Sequence, residues 1–141
     1  MKKVYLTRRY LLSASHRLHA AALSDEANRE VYGKCNHPYG HGHNYFLEVT
    51  LSGPVARETG MLCDLGELDA TVAREILGRF DHQNLNQLEE FRGTVPTTEN
   101  LAMRIHQILS HLRLPAHLEG IRIEETANNA FEYEGDEPPR R

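Results

Sequence analysis

Tryptophan is absent from the 141-residue chain, and cysteine nearly so, with only Cys35 and Cys63. Two thiols are too few for a disulfide framework, so a packed core has to supply the stability that cross-links would otherwise give. A chain of this length buries about two thirds of the surface it exposes when unfolded, enough for one domain. No apolar run reaches the roughly 18 residues that a membrane-spanning helix needs, so no membrane partner is expected. The basic N-terminal stretch from Met1 to Arg9 lacks the continuous apolar core of a signal peptide, which predicts a cytoplasmic protein. With a net charge of −4 and a pI near 6.1 there is no overall basic field to hold a phosphate backbone, and nucleic acid is not an expected partner. Against these shortages stand nine histidines, three of which, His37, His41 and His43, fall within seven residues. Such local density points to a metal.

The apolar pattern predicts an α+β domain. Residues 3–15 mix β-branched and aromatic side chains without a helical period and read as a first strand, with His16 at its end. A short helix is expected over residues 23–32, between Ser24 and Gly33. Strict alternation over residues 43–51 marks a half-buried second strand. Asp64 with Glu67 three residues on starts a helix expected over residues 65–78, leaving at Gly78. A second long helix begins near Thr97 or Thr98, with Glu99 in its first turn and an apolar stripe from Leu101 to Leu112. Residues 120–126 and 130–134 read as two strands joined at Asn128-Asn129. The expected domain is residues 1–134, and residues 135–141, polar and proline-bearing, read as a disordered tail.

Chemistry concentrates in a few places. In His41-Gly42-His43 the two imidazoles lie two residues apart, so on an extended backbone they point to one side and can meet at one ion. His16 is placed to be a third ligand if the first two strands pair antiparallel, because their ends then meet. Three neutral histidines suit Zn²⁺ and leave a coordination position open, the arrangement of a catalytic rather than a structural site. The plainer alternative is a histidine pair on an exposed strand with no metal. Cys35 lies six residues before His41, where a nearby cation or metal would lower its thiol pKa; its alternative is a small buried hydrophobe, which suits Cys63 better. Asp81 beside His82 could orient an imidazole for proton transfer, or could be a solvated helix end. Glu125 follows Ile121 and Ile123 on one strand face, placing an acid where an apolar residue is expected and requiring a partner for it.

The segments Ser15-His16-Arg17-Leu18, Gly33-Lys34-Cys35, Gly40-His41-Gly42-His43-Asn44-Tyr45, Asp81-His82-Gln83-Asn84-Leu85, Thr97-Thr98-Glu99-Asn100 and Glu125-Thr126 resemble, in order, the signature segments of the 6-pyruvoyltetrahydropterin synthase family. The resemblance implies a T-fold, a four-stranded antiparallel sheet with two helices packed on one face, that oligomerises as trimers and hexamers into a barrel with sites where subunits meet. It implies His16, His41 and His43 as zinc ligands, Cys35 as general base, and Asp81 with His82 as proton-relay partners. It implies Glu125 as the pterin anchor, with Thr97, Thr98 and Glu99 nearby. The implied reaction, in tetrahydrobiopterin biosynthesis, converts 7,8-dihydroneopterin triphosphate to 6-pyruvoyltetrahydropterin with loss of triphosphate. Ala127 departs from the family pattern, in which an Asp often follows Glu-Thr, and His37 and Tyr39 are assigned no role. Three alternatives remain: a 6-carboxytetrahydropterin synthase of deazapurine (queuosine) biosynthesis, a non-catalytic pterin-binding oligomer, and a purely structural zinc module. Five residues, from Asn36 to Gly40, separate Cys35 from His41, where carboxy-forming relatives typically have three, which favours the pyruvoyl product.

Overall fold

The structure, a computed structural model, describes residues 2–136. Its elements are β1 (Val4–His16), α1 (Asp25–Tyr32), β2 (His41–Gly53), α2 (Leu65–Val72), α3 (Gly78–Phe80), β3 (Gln83–Asn84), α4 (Thr98–Ser110), β4 (His117–Glu124) and β5 (Ala130–Tyr133). Most of the expected tail, residues 137–141, lies outside the described residues. Asp136 is tied back, its Oδ1 accepting the Tyr133 hydroxyl at 2.9 Å.

One sheet has the order β3-β1-β2-β4-β5. β1 and β2 are antiparallel along their full lengths, from Val4 opposite Gly53 to His16 opposite His41. β2–β4 and β4–β5 are antiparallel as well. The expectation of a four-stranded, wholly antiparallel sheet needs correcting, because a fifth strand, β3, runs parallel to β1 through Ala14–Gln83 and Ser15–Asn84. Hydrogen bonds from the preceding residues hold it there. Asp81 Oδ1 accepts the Ser13 backbone N–H at 2.9 Å, and the His82 N–H donates to the Ser13 carbonyl. A strand of two residues is too short to carry an alternation that a sequence could reveal.

Alternation sets the core. Leu12 and Ala14 on β1, Tyr45, Leu47, Val49 and Leu51 on β2, and Ile121 and Ile123 on β4 are buried on one face of the sheet. Leu68 and Val72 of α2, Phe80 of α3, and Leu101, Ile105 and Leu109 of α4 close over them. Each fully buried side chain of this size contributes about 1.5–3 kcal/mol relative to an exposed one. Asp64 caps α2 by accepting the Gly66 and Glu67 N–H groups, and Thr97 caps α4 by accepting that of Asn100. The expected exit at Gly78 does not occur. Gly78 keeps a right-handed φ of −61°, and α2 runs through a wider π-type turn, Ala73–Leu77, into α3 before Asp81 ends it. Burial of Phe80 accounts for the extra turn.

Candidate metal centre

Register builds the centre. His16 stands directly opposite His41, and His43 stands opposite Ala14, whose methyl group leaves space for the larger ring. Side-chain alternation puts all three imidazoles on the core face, just beyond Leu12 and Tyr45. Ring centroids are 4.6 Å (His16–His41), 5.1 Å (His16–His43) and 4.7 Å (His41–His43) apart. One nitrogen from each ring lies within 4.8 Å of the others, and the Nε2 atoms of His16 and His41 are 3.0 Å apart.

The protonation pattern follows from the partners. His16 Nδ1 sits 2.7 Å from the Pro96 carbonyl, which can only accept, so Nδ1 carries the proton and Nε2 turns its lone pair to the centre. Burial lowers the His16 pKa to about 4, and the neighbouring His41 and His43 push it the same way. His41 is lowered too, first by burial and then by His43. Both rings are therefore neutral near pH 7, as ligands must be. His43 Nε2 is buried with no hydrogen-bond partner, although Glu125 Oε1 approaches to 3.3 Å. Converging lone pairs, an orphaned buried nitrogen and a carbonyl that orients one ring together fit a divalent ion that favours imidazole.

The loop before β2 is drawn against the end of β1. Gly40 has φ +75°, and a Cβ there would meet the His16 carbonyl oxygen at 2.8 Å. Only glycine permits this approach. Cys35 lies on a 3₁₀ turn, Gly33–Asn36, with its thiol half-buried. Its carbonyl accepts the Leu18 N–H at 2.9 Å, and the Asn36 amide donates to the Leu18 carbonyl at 2.8 Å. These two bonds tie the Cys35 turn to the chain just past the end of β1.

Tyr45, which the alternating pattern marks only as core, forms the floor. Its pKa is raised by burial, then by the Glu125 carboxylate, with a smaller contribution from Cys35, so acid and thiol both bear on this one phenol. The Thr98 hydroxyl lies beside it without a well-formed hydrogen bond, and both hydroxyls are sealed from solvent. The alternation that hides Tyr45 as core gives no sign of its unpaired oxygen. Glu125 follows the end of β4, its N–H donating to the Asn129 carbonyl at 3.0 Å, and its side chain is largely buried next to His43. Thr97 is occupied as the α4 cap, Thr98 is buried and Glu99 is exposed.

Asp81 and His82 lie elsewhere. His82, at φ +60°, has its Nδ1 3.0 Å from Asp81 Oδ2 and a side chain 82% exposed. It lines a shallow cavity with Ser13, Ser15, Gly42, His43 and Asn44. Ser13, Ser15 and Asn44 alternate onto the face of β1 and β2 opposite the imidazoles, and Cys35 does not line this cavity. Of the residues singled out in the sequence, the structure gathers His16, His41 and His43, sets Glu125 against His43, and ties the Cys35 turn to the chain just past the end of β1. Asp81 and His82 are not brought to them within one chain.

A model of the 6-pyruvoyl tetrahydropterin synthase family matches residues 5–136. The chain belongs to this family. A 6-pyruvoyl tetrahydrobiopterin synthase of Drosophila melanogaster is 46% identical over 136 residues, covering 95% of this chain and 81% of that relative. The structure of the Caenorhabditis elegans 6-pyruvoyl tetrahydropterin synthase superposes with a TM-score of 0.89 at 41% identity, covering 96% of this chain and 98% of that one. A 6-carboxy-5,6,7,8-tetrahydropterin synthase of Bacillus subtilis matches a shorter stretch, 34% identical over 82 residues, or 55% of this chain and 52% of that relative. Family membership makes the chain a lyase acting in pterin biosynthesis, and the three-histidine cluster sits inside the matched region.

Proposed function

We propose that the chain converts 7,8-dihydroneopterin triphosphate to 6-pyruvoyltetrahydropterin and triphosphate, with Zn²⁺ held by His16, His41 and His43. The observation that carries this reading is the meeting of three imidazoles beside the buried Glu125 carboxylate. The ion, when bound, polarises the hydroxyls of the substrate side chain and makes the adjacent C–H groups more acidic.

The protein's own groups do the rest. Glu125 anchors the pterin by accepting from its ring N–H and 2-amino groups, a paired arrangement suited to a carboxylate with little solvent around it. Thr97, Thr98 and Glu99, at the start of α4, border that ring. Cys35, as thiolate, takes a proton from the side-chain carbon next to the ring. The electron pair released there reduces the ring and leaves a carbonyl on the side chain, so no outside reductant enters. Loss of a second side-chain proton then expels triphosphate as the C–O bond breaks, and the enol that remains takes up a proton to give the methyl ketone. His82, oriented by Asp81, serves as proton donor or relay.

Because Asp81 and His82 face the other side of β1 and β2, this relay reads best as acting at a site completed by a neighbouring copy. That reading supports a trimer or hexamer with active sites at subunit interfaces. The five-residue spacing from Cys35 to His41 and the long match to pyruvoyl-forming relatives favour the pyruvoyl over the carboxy product. Incubation with dihydroneopterin triphosphate and mass spectrometry of the product tests the assignment. The expected product is 6-pyruvoyltetrahydropterin, and release of acetaldehyde would overturn it.

A further inference from the structure

A cavity of about 730 Å³ opens beside the metal centre, with His41 and Gly40 on its wall and Arg17, Lys34 and Arg29 around it. That volume is of the size small-molecule sites have. Among the described residues Arg17, Arg29 and Lys34 form no ion pair with a carboxylate, although acids outnumber bases by four in the chain. Cations elsewhere are taken: Arg8 by Asp69, Arg122 by Glu48, Arg79 by Glu75. One carboxylate, Asp25, shares the cavity with the three.

We propose that Arg17, Lys34 and Arg29 form the subsite for the polyphosphate end of the substrate, running outward from His41. This rests on the reading of the substrate as a triphosphate ester. The placement suits the chemistry, since Arg17 follows His16 in the chain and Lys34 precedes the thiol. Arg17 is held in place by its Nε donating to the Asn36 carbonyl at 3.0 Å, which leaves its two terminal nitrogens to face an anion. Arg29, on the last turn of α1, and Lys34 are exposed, while Arg17 is partly buried. When the C–O bond breaks, the electron pair stays on the phosphate oxygen, and cations at that point stabilise the charge as it develops. A basic side chain at a helix C-terminus also complements the helix dipole. That effect accounts for Arg29 alone; it accounts for neither Arg17 nor the unpaired Lys34.

The test titrates inorganic tripolyphosphate into metal-free protein by calorimetry and measures KM for dihydroneopterin triphosphate with the metal-loaded enzyme. Both are done for wild type, Arg29→Gln and Lys34→Gln. Each variant is expected to weaken tripolyphosphate binding about tenfold, the size of one charge-assisted hydrogen bond, and to raise KM by a similar factor. Unchanged binding and KM in both variants, with normal turnover, overturn the subsite and leave the substrate assignment standing. Charge-dependent tripolyphosphate binding without turnover of the pterin sustains the subsite and overturns the substrate assignment. A lower melting temperature in Arg29→Gln with unaltered tripolyphosphate binding returns Arg29 to the helix-end role and removes it from the subsite.

Discussion

Lowering the pH of the metal-free protein perturbs one buried group more than any other, His16. In the unfolded chain its imidazole takes a proton near pH 6.5; in the native chain burial postpones this to about pH 4. Between those values the unfolded state binds more protons than the native state, so stability rises with pH across the interval. His16 therefore contributes in full above pH 6.5, and its contribution fades as the pH falls and is gone below about 4. An interval of about two and a half pH units at about 1.36 kcal/mol each amounts to about 3 kcal/mol. That is a large share of the roughly 5–15 kcal/mol by which a domain is stable. The assay is urea unfolding with chelator present, at half-unit steps from about pH 7 to about pH 4, on wild type and His16→Gln. Carboxylates titrate alike in both proteins, so the difference between the two curves reports His16 together with its coupling to His41 and His43. The account expects the wild type to lose about 3 kcal/mol more than the variant over this range. Parallel curves would refute the claim that the ring is held neutral by burial.

Gly40→Ala places a methyl 2.8 Å from the His16 carbonyl oxygen at a φ of +75°. It is expected to cost more than about 1 kcal/mol and to weaken metal binding, because His41 follows directly; thermal melting with metal titration checks both. Cys35→Ala is expected to keep metal and pterin binding and lose elimination of triphosphate, measured by triphosphate release under single-turnover conditions; wild-type rates would remove the thiol from the mechanism. Chelation is expected to leave the circular-dichroism spectrum of a folded α+β protein, since the apolar core of Leu12, Leu47, Phe80 and Ile105 forms without the three ligands. Loss of the spectrum on chelation would favour a purely structural metal.

Most of the sheet can be read from the sequence because burial of one face writes itself as alternation along β2 and β4. The third histidine is reached by the same logic: antiparallel pairing brings the end of β1 to the start of β2, and His16 faces His41. Glu125 is legible as an acid out of pattern. Other features leave no periodic trace. β3 exists because Asp81 and His82 grip the backbone of Ser13, a contact between residues 68 positions apart for Asp81. Gly78 reads as a stop, yet a right-handed φ lets the helix pass while Phe80 finds the core. Tyr45 is visible only as a hydrophobic position, since alternation reports which face a side chain takes and not whether its hydroxyl has a partner.

The central claim is that His16, His41 and His43 hold one divalent ion that turnover requires. The most direct measurement is zinc titration of metal-free protein by calorimetry, paired with turnover at each addition, for wild type and His41→Ala. The account predicts one equivalent bound per chain with activity rising in step, and loss of both in the variant. Full turnover by the wild type in excess chelator, with no metal bound, would contradict it.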